Sequence, residues 1–116
     1  MLLRLNCIDA VAVNSELRVD RFPASIGRGT EADITINDIW ASRVHCQIRC
    51  ENGLLMVKDL ASRNGTRVNG VPIDESPLRH GDELTVGIST FLVLLAHVTD
   101  EGSSIKIEDS AVAVTA

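Results

Sequence analysis

The sequence predicts an all-β domain, a sandwich or barrel built from many short strands. Hydrophobic residues make up 45% of the 116 residues but aromatic residues only 3%, so the core must consist of Val, Ile, Leu and Ala. Asn-Gly pairs separate alternating runs at Asn52-Gly53 and Asn69-Gly70, which is the pattern of tight hairpins. No segment keeps a 3.6-residue apolar period over the length of a helix. One domain of this length can bury its own core.

Short runs with a two-residue apolar alternation, bounded by turn residues, predict the individual strands. They are residues 2–8, 16–22, 24–27, 33–36, 45–51, 54–60, 83–86 and 90–96, with a further hairpin around residues 68–71. In the run 45–51, Cys46, Ile48 and Cys50 share one face, which we expect to be the core face. Near-even spacing of so many strands favours a sandwich or barrel.

Charge and length restrict the possible functions. The formal net charge is −5, and a mildly acidic body argues against nucleic acid or an anionic membrane surface as the partner. No apolar run is long enough to cross a bilayer, so we expect no membrane insertion. Three cysteines cannot all pair within one chain, which favours a reducing, cytoplasmic location.

The C-terminal part of the sequence differs from the body. Residues 98–116 contain four acidic residues and one lysine, with a Gly-Ser-Ser stretch and a weakly apolar patch at residues 111–114. We therefore expect one domain over residues 1–97, and an acidic tail over 98–116 that is flexible or loosely docked. The chain is also compatible with being one module of a larger multidomain protein.

Three predicted loops combine a cation, a hydroxyl or an amide with a turn-forming residue. They are Gly27-Arg28, the stretch 42–45, and the stretch 59–70. Arginine offers a planar, permanently charged fork for two oxygens, and serine hydroxyls and loop N–H groups can satisfy the remaining acceptors. Loops at one rim of a sandwich can bring such groups together. The sequence thus predicts a loop-built anion pocket around Arg28, Ser42, Arg63 and Asn64.

The order and spacing of these motifs resemble those of the forkhead-associated (FHA) domain, a reader of phosphothreonine peptides. The shared pattern is Gly-Arg, then Ser-x-x-His, then Asp-Leu-x-Ser-x-Asn-Gly-Thr-x-Val-Asn-Gly, and it is followed by Leu-Arg-His-Gly-Asp-Glu-Leu-x-x-Gly at residues 78–87. The resemblance covers about residues 3–96. It implies a SMAD/FHA-type β-sandwich of about eleven strands with the ligand loops at one rim.

The resemblance also implies roles for individual residues. Those expected to bind the phosphopeptide are Arg28, Trp40, Ser42, Arg43, Ser62, Arg63 and Asn64. Arg28 and Ser42 would hold the phosphate, and Asn64 the peptide main chain. Trp40 would contact the side chain three residues after the phosphothreonine. Residues expected to support the site are Gly27, His45, Gly65 and Asn69, of which His45 and Asn69 would hold the binding loops.

Metal binding and catalysis are weaker interpretations of the same residues. His45 and Cys46 are neighbours on a predicted strand and point to opposite faces, so they cannot converge on a metal ion. A triad of Ser42, His45 and Asp59 would lack both a nucleophile elbow and an oxyanion loop. Gly27-Arg28-Gly29 lacks the third glycine and the helix of a dinucleotide loop. We expect no metal, no cofactor and no enzymatic activity.

The resulting expectation is reversible binding of a phosphothreonine-containing protein, itself the substrate of a Ser/Thr kinase, in phosphorylation-dependent assembly or signalling. The alternative is a phospho-independent scaffold or oligomerisation module that uses the same fold.

Overall fold

The computed structural model describes residues 1–9, 16–98 and 105–107, and this part of the chain contains only strands, turns and loops. No helix in it is long and apolar enough to cross a membrane. The strands are β1 (Leu2–Asp9), β2 (Glu16–Val19), β3 (Ala24–Gly27), β4 (Ile34–Thr35), β5 (Cys46–Glu51), β6 (Leu54–Asp59), β7 (Thr66–Val68), β8 (Val71–Ile73), β9 (Glu75–Leu78), β10 (Glu83–Val86), β11 (Ser89–Val98) and β12 (Ile105–Ile107). The predicted all-β class is confirmed.

The strands form two sheets. One has the order β2-β1-β11-β10-β7-β8, with β12 beside β11, and the other has the order β4-β3-β5-β6-β9. All pairs are antiparallel except β3 and β4, which run parallel. The described strands number twelve. The additional one, β12, falls in the predicted tail, whose apolar patch at residues 111–114 lies outside the described residues. The domain boundary at residue 97 therefore stays a prediction.

One aliphatic core lies between the two sheets, as the low aromatic content predicted. Leu5, Leu84 and Val93 come from the larger sheet and are fully buried, as are Ile26 and Val57 of the smaller sheet. Period-two alternation places these residues on the facing surfaces of the sheets. Each loop at one end of the sandwich therefore connects two strands that are packed into this core.

Two of the Asn-Gly pairs form the predicted hairpin turns. Asn52 and Gly53 have φ of 53° and 80°, and Asn69 and Gly70 have φ of 53° and 81°. A type I′ turn requires positive φ at both central positions, and Asn and Gly are the residues that tolerate it. These turns fix the register of β5 with β6 and of β7 with β8.

Two details of the strand prediction were wrong. The edge strand β9 was missed because Pro77 interrupts it. A proline is tolerated there because an edge strand does not need every N–H for pairing. Cys50 is exposed although Cys46 and Ile48 of the same face are buried, since β5 runs beyond the core toward its hairpin turn.

Gly27 lies where β3 meets the loop that follows β4, and no side chain fits there. A Cβ on Gly27 would lie 2.1 Å from the carbonyl oxygen of Arg43. The close approach allows Arg28 N–H to bond the carbonyl oxygen of Ser42 at 2.9 Å, and Gly29 N–H to bond that of Arg43 at 3.0 Å. The glycine thus lets two loops run side by side at this end of the sandwich.

We expect Gly27→Ala to lower the free energy of unfolding by about 2 kcal/mol or more, because the clash is with backbone that cannot rotate away. Urea unfolding measures it. Thr30→Ala, in the same loop and exposed, is the matched control and should change stability by no more than about 0.5 kcal/mol. Equal stability of the two variants would contradict the close approach at Gly27.

Candidate functional site

Three loops meet at one end of the sandwich and enclose a groove of about 490 Å³. They are the loop after β3, the loop between β4 and β5, and the loop between β6 and β7. The lining residues are Arg28, Ile39, Trp40, Ala41, Ser42, Arg43, Arg63 and Asn64. Six of the seven residues predicted to bind the ligand therefore line one concave surface, and Ser62 does not.

Arg28 is an exposed residue whose guanidinium is held through one of its three nitrogens. Its Nε donates a hydrogen bond to the carbonyl oxygen of Ala41 at 3.0 Å, and its backbone N–H bonds the next loop as described above. Arg28 lines the groove, and Nη1 and Nη2 have no hydrogen-bond partner among the described residues. Its two terminal nitrogens can therefore serve a ligand in the groove, in the planar geometry that suits two oxygens of one anion.

Ser42 and Arg63 are joined across two loops. The backbone N–H of Arg63 donates to Ser42 Oγ at 2.8 Å. A serine hydroxyl that accepts one hydrogen bond keeps its own hydrogen to donate. The hydroxyl of Ser42, which lines the groove, is thus oriented to give that hydrogen to an acceptor there. Arg63 reaches this position through its main chain, so its exposed guanidinium stays available.

The imidazole of His45 links the loops from below the groove. The ring is fully buried. Its Nδ1 accepts the backbone N–H of Ser42 at 2.9 Å, and its Nε2 lies 2.8 Å from the carbonyl oxygen of Gly65. Because Nδ1 accepts, Nε2 must carry the proton and donate to Gly65. A neutral histidine of this tautomer satisfies both loops at once.

Asp59 holds the third loop by accepting hydrogen bonds within a short stretch of sequence. Its carboxylate accepts from the backbone N–H of Ser62 at 3.1 Å, from the Ser62 hydroxyl, and from Thr66 Oγ1 at 2.7 Å. Burial raises the pKa of Asp59, but the hydrogen bonds from Ser62 and Thr66 together outweigh it and lower that pKa. A charged Asp59 therefore fixes the start of the Arg63-Asn64 segment.

Ser62 does not line the groove, and its expected contact with the ligand stays a prediction. Ser62 Oγ donates to Asp59 and accepts the backbone N–H of Gly65 at 2.9 Å, so it is engaged inside its own loop. Asp-x-x-Ser is a local side-chain-to-backbone turn pattern, and it could have assigned this role from the sequence.

Asn64 joins the third loop to Trp40. Its Nδ2 donates to the carbonyl oxygen of Trp40 at 2.7 Å, which leaves Oδ1 and a second N–H hydrogen for other partners. Asn64 is not among the residues with positive φ, unlike Asn52 and Asn69. The third Asn-Gly pair is therefore not a hairpin turn but the point where a side chain reaches across the groove.

Asp38 is a supporting residue that the sequence interpretation missed. Its carboxylate accepts the backbone N–H of Trp40 at 2.8 Å, the backbone N–H of Ile88 at 2.9 Å and the hydroxyl of Ser89 at 2.7 Å. Burial raises the pKa of Asp38, and these donors outweigh it and lower that pKa. Asp side chains often accept the backbone N–H two residues further on, in an Asx turn. This tendency could have indicated the bond from Trp40 to Asp38.

Arg43 lies on the groove but has a partner already. Its Nη2 is 2.6 Å from Glu31 Oε2 in an exposed salt bridge. A backbone hydrogen bond and the Arg43 guanidinium both lower the pKa of Glu31. A ligand that uses Arg43 must therefore compete with Glu31.

The comparison with known proteins agrees with this geometry. The FHA domain family model matches residues 24–87, more than half of the chain. This chain belongs to the FHA domain family. The glycogen accumulation regulator GarA of Mycolicibacterium smegmatis is 36% identical over 90 residues, which is 78% of this chain and 57% of GarA. The chain spans about half the length of the curated relatives it matches.

Solved FHA domains share the fold. One structure, from work on phosphothreonine-dependent FHA domain interactions, aligns with a TM-score of 0.71 at 30% identity over 80% of this chain and 95% of that one. The FHA domain of FhaA, solved with the intracellular domain of another protein, gives a TM-score of 0.68 at 32% identity over 79% and 97% of the two chains.

Asn69 of this FHA domain supports a different region from the one expected. Its Oδ1 accepts the backbone N–H of Glu83 at 2.9 Å, and its Nδ2 donates to Asp82 Oδ1 at 3.1 Å. Asn69 follows the end of β7 that points away from the groove, because the groove residue Asn64 precedes the other end. It therefore ties the β7–β8 turn to the start of β10.

The geometry does not assemble a catalytic triad. Both ring nitrogens of His45 bond main-chain groups, so neither is free to take a proton from Ser42 Oγ. Burial, with the nearby charge of Asp59, raises the pKa of the Cys46 thiol to about 12, which leaves it unreactive. Among the residues that the structure describes, no three His, Cys, Asp or Glu side chains group as metal ligands.

We expect Asp59→Asn to lower the free energy of unfolding at neutral pH by about 1–3 kcal/mol, since an amide cannot accept from all three donors. Asp59 has a lowered folded-state pKa, so its stabilisation is complete above its unfolded pKa near 4 and is lost as the pH falls through the folded value. The difference from wild type should therefore shrink below about pH 4.

Urea unfolding from pH 7 to pH 2 measures this difference. The exposed Asp20→Asn serves as the control for removal of one carboxylate. A wild-type minus Asp59→Asn difference that stays constant across this range would contradict a charged Asp59 as the organiser of the loop.

Proposed function

We propose that this FHA domain binds phosphothreonine-containing proteins through the groove and so assembles complexes that depend on phosphorylation. The observation that carries the proposal is the convergence of Arg28, the Ser42 hydroxyl and Arg63 on one concave surface. A bound phosphate brings a charge of roughly −1.5 to −2, and arginine clusters are a recurring way to recognise it. Neutral and cationic donors of this kind suit an anion with several acceptor oxygens.

Each groove residue has a place in this proposal. Arg28 supplies two guanidinium nitrogens, Ser42 supplies one hydroxyl hydrogen, and Asn64 keeps an amide oxygen and an N–H for a peptide main chain. Arg63 adds positive charge that is exposed at the groove. Gly27, His45 and Gly65 contribute through the loop geometry.

The mode of action we propose is binding, without a chemical step. The Ser/Thr kinase that phosphorylates the partner would control the interaction, and the charge of the phosphate would supply the switch. We further propose a cytoplasmic location, because all three cysteines are free.

Calorimetric titration with matched peptides tests the proposal. The peptides share one sequence and carry phosphothreonine, phosphoserine or unmodified threonine. We expect binding of the first, weaker binding of the second because the threonine methyl group is lost, and none of the third at the same concentration. Equal binding of phosphorylated and unmodified peptides would refute phosphate recognition and favour a phospho-independent scaffold.

We expect Arg28→Ala to weaken phosphothreonine-peptide binding by about 2–5 kcal/mol, because it removes the main charged partner of a phosphate that the complex desolvates. Arg67→Ala removes an exposed arginine that does not line the groove and is the matched control for net charge. The same titration compares them. Similar losses of affinity in the two variants would show that Arg28 contributes only to the overall positive charge and does not contact the phosphate.

We expect Glu31→Gln to strengthen phosphothreonine-peptide binding by about two- to five-fold, since the variant frees Arg43 from an exposed salt bridge that competes with the ligand. The gain should decrease in high salt, which screens exposed charges. Glu83→Gln, an exposed acid that does not line the groove, controls for net charge. An unchanged or weaker affinity of Glu31→Gln would show that Arg43 takes no part.

A further inference from the structure

A second groove, of about 420 Å³, lies at the opposite end of the sandwich from the proposed phosphate site. β11 begins at Ser89, which bonds Asp38 beside that site, and the other end of β11 carries Leu95, which lines the second groove. Of the described residues, none lines both grooves, so the second groove can take a ligand of its own. Its apolar lining residues are Met1, Leu54, Leu55, Leu78 and Leu95.

The second groove is the place where the core reaches the surface. Leu55 and Leu78 of the smaller sheet are 2% exposed and Leu95 of the larger sheet is 6% exposed, and all three belong to the core. Met1 is half-buried against the same core, whereas Leu54, beside the β5–β6 turn, is 66% exposed. Apolar side chains that enter this groove would extend the core and cover Leu54.

Strand β12 brings the C-terminal part of the chain to the second groove. Its last residue, Ile107, lies opposite Ala96 of β11. Because the two strands are antiparallel, the next position of this register is opposite Leu95, which lines the groove. The backbone N–H of Leu95 already donates to His80 Nδ1 at 3.1 Å, so it cannot bond a longer β12. The pairing of β12 with β11 therefore stops at the second groove.

The nine residues after β12 have the composition and the reach to fill this groove. Residues 111–114 read Ala-Val-Ala-Val, and Val112 and Val114 share one side of an extended chain. The four residues from Ile107 to Ala111 can span about 14 Å. Adjacent strands are only about 5 Å apart, so a segment that leaves the edge of β11 can enter a groove lined by Leu95.

Charge favours the same placement. Glu108 and Asp109 come directly between β12 and the apolar segment. Arg79 lines the second groove, is exposed, and has no salt-bridge partner among the described residues. The acidic pair would thus pass an arginine at the point where the chain leaves the sheet.

We propose that residues 111–114 bind in the second groove of their own molecule, with Val112 and Val114 packed against Leu54 and Leu95. The C-terminal segment then closes the end of the core that the two sheets leave open. The folded unit extends past the predicted boundary at residue 97, and the phosphate site at the other end stays accessible. This inference is independent of the proposed function.

A nitroxide label on residue 113 of the full chain locates the segment. Position 113 lies between the two valines, so in an extended segment a label there points away from the groove. The labelled protein carries Ala113→Cys, together with Cys7→Ser and Cys50→Ser. Only one accessible thiol then remains, because Cys46 is fully buried.

We expect the label to broaden the amide signals of Leu54, Arg79 and Leu95, and to leave those of Ser42 and Asn64 at the opposite end unchanged. A mixture of labelled chain and unlabelled, isotope-enriched chain should show no broadening, because the segment binds its own molecule. Broadening in the mixture would instead indicate exchange of the segment with a second copy and would overturn the proposal.

The matched control removes the two apolar side chains from the labelled protein. Val112→Ser together with Val114→Ser should abolish the broadening at the second groove, while the spectrum shows that the domain is still folded. Broadening that persists in this variant would overturn packing by the two valines. No broadening in the parent chain, or equal broadening at both ends of the sandwich, would overturn docking itself.

Thermal melts measure the contact without a label. The two valine substitutions together should lower the Tm by about 5 °C in wild type, but by less than about 2 °C in Leu54→Asp, where an unpaired charge already keeps the segment out. Val71→Asp changes an exposed valine that does not line the second groove, and there the full decrease should remain. Equal decreases in all three backgrounds would contradict contact with Leu54.

Discussion

The groove depends on one buried, neutral histidine. His45 accepts the main-chain N–H of Ser42 and donates to the main-chain oxygen of Gly65. A single ring therefore satisfies polar groups of both the β4–β5 loop and the β6–β7 loop. An unpaired polar main-chain group costs about 1–3 kcal/mol when it is buried, and removal of the ring would leave two. The relative positions of Ser42 and Asn64, and with them the shape of the groove, follow from these bonds.

Two carboxylates extend the same principle around the groove. Asp59 organises the segment before Arg63, and Asp38 connects the Trp40 loop to the β10–β11 turn. Both accept hydrogen bonds from main-chain and hydroxyl groups, and these bonds keep them charged despite partial burial. The negative charges thus lie behind the groove, bonded within the protein, whereas the cations Arg28 and Arg63 lie on its surface.

The sequence was informative wherever local chemistry determines structure. Alternating apolar runs predicted most strands, and Asn52-Gly53 and Asn69-Gly70 predicted two hairpins, because main-chain sterics act over a few residues. Motif spacing predicted most of the groove lining. Long-range hydrogen bonds could not be predicted in this way. Nothing near Asp38 in the sequence indicates that it bonds the N–H of Ile88, and nothing near Asn69 indicates that it bonds the N–H of Glu83 and not a groove loop. Strand β9 was missed because Pro77 is unfavourable in any strand except an edge.

The bond between Arg63 and Ser42 has a consequence for how such a domain can change its ligand. Arg63 holds the Ser42 hydroxyl with its main-chain N–H, a group that every residue except proline provides. Position 63 can therefore exchange its exposed side chain while the hydroxyl keeps its orientation, and exposed exchanges of this kind usually alter stability by no more than about 0.5 kcal/mol. The charge and size of the side chain at this edge of the groove can therefore vary while the loop geometry stays the same. Ligand preference can then change without a change in the fold.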